Sequence, residues 1–212
     1  RVQPEDARRI FGEQISALSA SGVDLFVFET FTDKYEMREA IQAAREINAK
    51  IPIVASMTFT RDDRTVLGDD PRRVARALAE YGADVIGIHC SGGPNQLIRI
   101  LREMRAILPE GKFWVKPNAG WPEQMGGRIF YPASADYFGD YALSFWQAGA
   151  NVIGGCCGTT PTHIRSMRDA LDRTDHITVS ALPDHRSGSE EVEVERAAPT
   201  KMAQKLADGK FV

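Results

Sequence analysis

The stretch "AGANVIGGCCGTTPTHI", residues 148–164, sets two of the chain's three cysteines side by side among glycines. Successive residues on a strand point to opposite faces. Cys156 and Cys157 can therefore face one target only where the backbone leaves strand geometry. Gly154, Gly155 and Gly158 are expected to allow this, because glycine reaches positive φ without strain. The stretch reads as a helix ending at glycine, a short apolar strand over 151–153, a sharp turn carrying two thiols, and a new helix. Thr160 suits the N-cap of that helix and Pro161 its first position.

The same sentence is written twice more, as "SGVDLFVFE" (21–29) and "YGADVIGIHC" (81–90). Each time a helix ends at glycine and a short apolar strand begins. Two further strands are expected in "IPIVASMTF" (51–59) and "KFWVKPN" (112–118). Helical patterns separate all five. Ala7, Ile10, Phe11, Ile15 and Leu18 share one face of the first helix, and Met37, Ala40, Ile41, Ala44 and Ile47 one face of the second, after Asp33 and Glu36 spaced as in a capping box. Val74, Ala77, Leu78 and Tyr81 mark a third helix after Asp70-Pro71. Leu97, Ile100, Leu101, Met104 and Leu108 mark a fourth, Phe138, Tyr141, Ala142 and Phe145 a fifth, and Ile164, Met167 and Leu171 a sixth.

Strict alternation of helices with apolar strands predicts an α/β protein with a parallel sheet covered by helices. No G-x-G-x-x-G follows any strand, which weakens an open dinucleotide-binding sheet. The unusual residues stand at the C-terminal strand ends: Glu29, Thr58, Cys90, Asn118, Cys156 and Cys157. In a (β/α)8 barrel those ends meet at one mouth, where active sites lie. Five strands are visible, so the stretch 1–172 is expected to be the C-terminal part of such a barrel, about strands 4–8, with three βα units before Arg1. The polar, aperiodic run 173–198 reads as a linker, and "PTKMAQKLADGKFV" (199–212) as the start of a following domain.

With 212 residues, 43% hydrophobic and 26% charged, the chain can bury a sizeable core. A net charge of −3 gives no reason to expect a nucleic acid or an anionic membrane as partner. No apolar run is long enough to span a bilayer. An odd cysteine count argues against a disulfide framework and points to a reducing, cytoplasmic setting. Oligomerisation is left open.

All three cysteines fall at strand ends on the expected mouth. Three thiolates and one vacant position describe a tetrahedral zinc site open to a ligand. Such a unit carries a formal charge of about −1, which mutes its Lewis acidity and suits it to a soft ligand, above all another thiol. Small buried core cysteines, or a dithiol that switches with a vicinal disulfide, are the competing readings.

"GGCCGTTPTHI" resembles the zinc signature of the homocysteine S-methyltransferase family, and "FVFETFTD", "VASMTF", "GIHCSGGP" and "KPNAG" resemble successive blocks of that family in order. The resemblance covers residues 5–172. It implies a (β/α)8 barrel that binds Zn2+ through Cys90, Cys156 and Cys157, with the homocysteine sulfur as fourth ligand. The implied activity is transfer of a methyl group from a donor to homocysteine, giving methionine. It makes Glu29 a ligand of the homocysteine ammonium and sets Asn118 beside the zinc in a substrate or supporting role. His89 stands where the family usually has Asn and is not expected to be a ligand. His163 is read as structural, and Thr58 and Ser91 are weak candidates. The barrel's glycine-rich first strand is not visible, so residues 1–212 alone are expected not to turn over. The tail resembles the entry to a methylenetetrahydrofolate reductase module, to which FAD would belong. The alternative function is a cysteine-based redox or zinc-binding module without methyltransferase activity. A segment serving only as an interaction surface is a further one.

Overall fold

A computed structural model of the chain describes residues 2–173. The elements run α1 (Pro4–Ala20), β1 (Phe26–Phe31), α2 (Lys34–Ile47), β2 (Ile53–Met57), α3 (Pro71–Glu80), β3 (Val85–His89), α4 (Pro94–Ile107), β4 (Phe113–Lys116), β5 (Glu123–Met125), β6 (Arg128–Phe130), α5 (Ala135–Gln147), β7 (Val152–Ile153) and α6 (Pro161–Asp172). Five of these strands form one parallel sheet in the order β1-β2-β3-β4-β7. This is the α/β alternation the sequence pattern predicts. The short antiparallel hairpin β5–β6 was not foreseen. Residues 174–212 lie outside the described residues, and with them nearly all of the expected linker and the whole of the expected following domain.

The repeated sentence has a structural meaning. Gly22, Gly82 and Gly149 take φ of 81°, 93° and 93° just past the ends of α1, α3 and α5. In the last two cases the next N–H reaches back five residues, from Ala83 to the Leu78 carbonyl (3.1 Å) and from Ala150 to the Phe145 carbonyl (2.9 Å). These are Schellman turns, which occupy carbonyls a helix end leaves free. The next residue then pins the new strand to its neighbour. The Asp84 carboxylate accepts the Ile53 N–H at 2.8 Å, and the Asn151 side-chain carbonyl accepts the Phe113 N–H at 2.8 Å. Thus "GAD" and "GAN" each stop a helix and set the parallel register of the strand that follows.

The sheet has two unlike faces. Phe26, Ile53, Ala55, Met57, Ile86, Ile88, Phe113 and Val115 are buried with the inward stripes of the helices. By the paired register, the opposite face carries Val27, Glu29, Val54, Ser56, Gly87, His89, Trp114 and Lys116. Glu29 on β1 and Lys116 on β4 touch although two strands lie between them. Three strand spacings amount to about 14 Å in a flat sheet; the contact reflects a sheet that curls about this face, as an arc of a barrel does.

The predicted helix faces hold with three corrections. Ile47, at the end of α2, is exposed. On α1 only Ile15 is buried, while Ile10 and Leu18 are exposed, because the helix packs chiefly on α2. On α6, Ile164 is exposed and Met167 buried, the helix resting on α5. Asp33, Asp70 and Ser134 cap α2, α3 and α5 by accepting backbone N–H groups two or three residues on.

Candidate metal centre

The three thiols meet at the C-terminal ends of β3 and β7. Cys90 follows β3 directly, and its own φ of +51° turns it out of strand alternation. Its Sγ lies 3.5 Å from that of Cys157, and Cys157 Sγ lies 4.0 Å from that of Cys156. All three sulfurs lie within 4.8 Å of one another, and all three cysteines are free and half-buried.

Glycine serves this turn differently from the expectation. Only Gly158, at φ +76°, has the left-handed backbone. Gly155 is needed for space, because a Cβ there would sit 2.6 Å from Thr159 Oγ1; at Gly154 a Cβ would press on Lys116 Cγ at 3.2 Å.

Asn118 ties the two cysteine loops together. Its N–H donates to the Gly92 carbonyl, on the Cys90 side, at 2.9 Å. Its side-chain carbonyl accepts the Cys157 N–H at 3.1 Å, and its residue is 4% exposed. Around it, Cys156 N–H donates to the Pro117 carbonyl and Ala119 N–H to the Cys157 carbonyl, both at 2.8 Å. Thr159 holds the Cys156 carbonyl through its hydroxyl at 2.7 Å. Asn118 thus stands beside the thiols, where the sequence reading set it, and its contact is with the backbone of a candidate ligand.

The donor set fits a zinc ion. Zn–S bonds of about 2.3 Å in a tetrahedron set sulfurs about 3.8 Å apart, and the separations of 3.5 and 4.0 Å bracket that value. Burial first, then the neighbouring thiols, push the Cys90 thiol up to about 12. Burial likewise raises Cys156. Crowded thiols without a cation resist ionising, and a divalent cation reverses that balance.

His89 is not among the candidate ligands: its ring bonds Ser56 and Thr30 on the inner face of the sheet. It is 1% exposed. Its Nδ1 lies 2.7 Å from Ser56 Oγ on β2, and its Nε2 lies 2.9 Å from Thr30 Oγ1 on β1. Burial draws its imidazolium down to about 4, with Glu29 opposing and Lys116 assisting, so the ring is neutral at pH 7. Thr58 and Ser91 hydroxyls both donate to the His89 carbonyl at 3.2 Å. These two weak candidates serve the backbone beside Cys90. His163 is structural: Nδ1 accepts the Thr160 N–H at 3.1 Å, and Nε2 lies 3.1 Å from the Ala133 carbonyl.

Glu29 lies at the same end of the sheet. Its carboxylate takes the Lys116 ammonium at 2.5 Å, with the two side chains 34% and 22% exposed. The register of β1 slips between Phe28 and Phe31, and Thr30 there takes φ +66°. The bulge lets Glu29 and Thr30 both reach groups of the inner face. Thr30, Ser56, Lys116 and Tyr131 were missed by sequence reasoning. Tyr131 follows the unforeseen hairpin and packs on Gly158; burial, then the Cys157 thiol beside it, raises its phenol. A cleft of about 720 Å3 between the start of α1 and the start of α2 lies away from the thiols.

The three thiols thus stand at the C-terminal strand ends of a curled parallel arc of βα units, the end at which barrel active sites lie. The sequence profile of the homocysteine S-methyltransferases matches residues 1–171, and the chain belongs to that family. It is 29% identical over 179 residues to the methionine synthase of Mycobacterium leprae (strain TN), which covers 81% of this chain and 15% of the relative. It is 29% identical over 171 residues to that of Mycobacterium tuberculosis (strain ATCC 25618 / H37Rv), covering 77% of this chain and 14% of the relative. The apo crystal structure of the homocysteine methyltransferase MmuM from Escherichia coli superposes with a TM-score of 0.65 at 23% identity, over 80% of this chain and 58% of that one. The chain therefore spans a small part of the curated relatives and over half of the MmuM chain.

Proposed function

We propose that the chain forms the thiol-binding part of a zinc-dependent homocysteine S-methyltransferase that yields methionine. The observation that carries this reading is the three-sulfur cluster, whose spacing fits one tetrahedral cation with a position to spare. When bound there, zinc would supply a weak Lewis acid that keeps a substrate thiol ionised at neutral pH.

The chain's own residues do the rest. Cys90, Cys156 and Cys157 would hold the ion, and Asn118 keeps the Cys157 backbone in place. Glu29 would take the substrate ammonium; its contact with Lys116 is the same kind of pair already formed within the chain. The substrate sulfur then attacks a methyl carbon in line. The sulfur–carbon bond forms as the donor–methyl bond breaks, and the donor leaves with that electron pair. Holding both partners in line supplies most of the rate. Among the described residues no helix is long and apolar enough to cross a membrane, and the reading places the protein in the cytoplasm.

The test is a donor screen on the full-length protein with homocysteine, using betaine, S-methylmethionine, S-adenosylmethionine and methyl-cobalamin in turn. Methionine should appear with one donor, vanish on chelation and return with added zinc. Zinc-loaded protein that makes no methionine with any of them refutes the reading.

A further inference from the structure

We propose that His89 is a positioning residue for the amino-acid head of the substrate: its ring fixes the bulged end of β1 and, through it, the Glu29 carboxylate. The inference rests on the homocysteine reading of the site and names a residue that the reading does not use.

The two halves of His89 serve different neighbours. Its carbonyl is held by the Thr58 and Ser91 hydroxyls at 3.2 Å each. Ser91 Oγ in turn accepts the Phe59 N–H at 2.7 Å. The backbone that leads into Cys90 is therefore anchored without the ring. Cys90 itself donates its N–H to the Lys116 carbonyl at 3.3 Å. The ring, by contrast, spans three strands of the inner face, from Ser56 on β2 to Thr30 on β1.

What the ring holds is strained. Thr30 is β-branched and sits at φ +66°, a conformation such residues rarely adopt. Strain of this kind persists only where the surroundings over-determine it. Thr30 is largely exposed, and the ring nitrogen is the side-chain partner of its hydroxyl among the described contacts. Without that tie the bulge is free to relax toward extended backbone. Glu29 is the preceding residue, so its carboxylate would swing with it. The sulfur end and the ammonium end of the pocket are thus fixed by separate hydrogen bonds that meet at one residue.

The experiment uses full-length protein loaded with Co2+ in place of zinc, so that sulfur-to-cobalt absorption reads thiol binding without a methyl donor. Two probes are titrated: homocysteine, and 4-mercaptobutyric acid, which keeps the thiol and carboxylate and lacks the amino group. His89→Asn keeps a polar group near the Ser56 hydroxyl and withdraws it from Thr30. It should weaken homocysteine binding on the order of tenfold, the worth of one good hydrogen bond. Binding of 4-mercaptobutyric acid and the cobalt content should not change. His89→Gln, whose amide reaches toward the Nε2 position, should bind homocysteine nearly as the parent does. Thr30→Ala should reproduce His89→Asn, and the double variant should be no worse than either. The inference is overturned if His89→Asn binds homocysteine as the parent does, weakens both probes equally, or loses cobalt. A parent protein whose cobalt spectrum ignores homocysteine refutes the homocysteine reading instead, and the two failures are thereby distinct.

Discussion

Replacing Gly158 by alanine tests the turn that delivers the thiols. Gly158 sits at φ +76°. An L-residue there costs about 1–2 kcal/mol. The added Cβ would also fall 2.3 Å from Tyr131 Cγ and 2.5 Å from Tyr131 Cβ. Those atoms are the root of the ring, so a rotamer change does not clear them and the Tyr131 backbone must shift. Overpacking of this kind adds about 1–3 kcal/mol, for a total of about 2–5 kcal/mol. Gly22→Ala is the control: φ is +81°, and nothing lies within 4 Å of its Cβ. It should lose the strain alone, about 1–2 kcal/mol. At about 2–4 °C per kcal/mol, Gly158→Ala should lower the melting temperature about one and a half to four times as far as Gly22→Ala. It should also weaken zinc retention, because the displaced ring lies beside Cys157, whereas Gly22→Ala should keep its zinc. Melting curves and elemental analysis of both variants give the answer. Equal melting shifts with unchanged zinc would show that Tyr131 does not brace the turn.

Cys157→Ser should lose stoichiometric zinc while keeping its far-ultraviolet circular dichroism; unchanged zinc would remove Cys157 from the site. Lys116→Met frees the Glu29 carboxylate from the ammonium that now occupies it, so preference for homocysteine over its desamino analogue should widen by about three- to tenfold, from a contact worth between 1 and 4 kcal/mol at surface and near-surface dielectrics and discounted for its exposure; a narrower preference would mean that Lys116 aims Glu29. Glu39 is a buried carboxylate whose burial would raise it, but Arg8 and Arg38 bond it and hold it below its usual value. It therefore stabilises the fold above the ordinary carboxylate range, and this is lost as pH falls through the lowered value; the urea midpoints of the parent and Glu39→Gln should differ at pH 7 and draw together as the pH falls below the ordinary carboxylate range.

The fold was legible because one device repeats. Helix, glycine, small turn and apolar strand recur three times, and the last two instances turned out to be a helix stop joined to a strand pin, at Asp84 and at Asn151. The hairpin was not legible for the opposite reason. Its strands are three residues each and wholly exposed, so they bury no face and leave no alternation to read. The glycines before Cys156 were noticed for the wrong property. A sequence shows that glycine stands at a position; whether it is there for φ or for room depends on Lys116 and Thr159, which come from the previous strand and the next turn.

The two ends of the candidate site differ in the same way. The sulfur end could be read because two of its candidate ligands are adjacent and the third closes the matching sentence one repeat earlier. The end proposed for the substrate ammonium is assembled from Thr30 with His89, 59 residues apart, and Glu29 with Lys116, 87 apart. No spacing joins such pairs. A fainter signal was present inside the apolar strands. In "IVASM" and "VIGIH" the inner-face positions include Ser56, Gly87 and His89, while the residues between them are uniformly apolar. A strand buried on both faces for packing alone has no use for a serine, a glycine and a histidine in one row. Ser56 and His89 are bonded to each other across that row, and a Cβ on Gly87 would fall 2.4 Å from Ser56 Cβ. The glycine is the space that lets β2 and β3 bring the hydroxyl and the ring into the same layer, and from that layer His89 reaches Thr30. Small and polar residues at every second position of an apolar strand therefore mark the face that turns toward chemistry rather than toward helices.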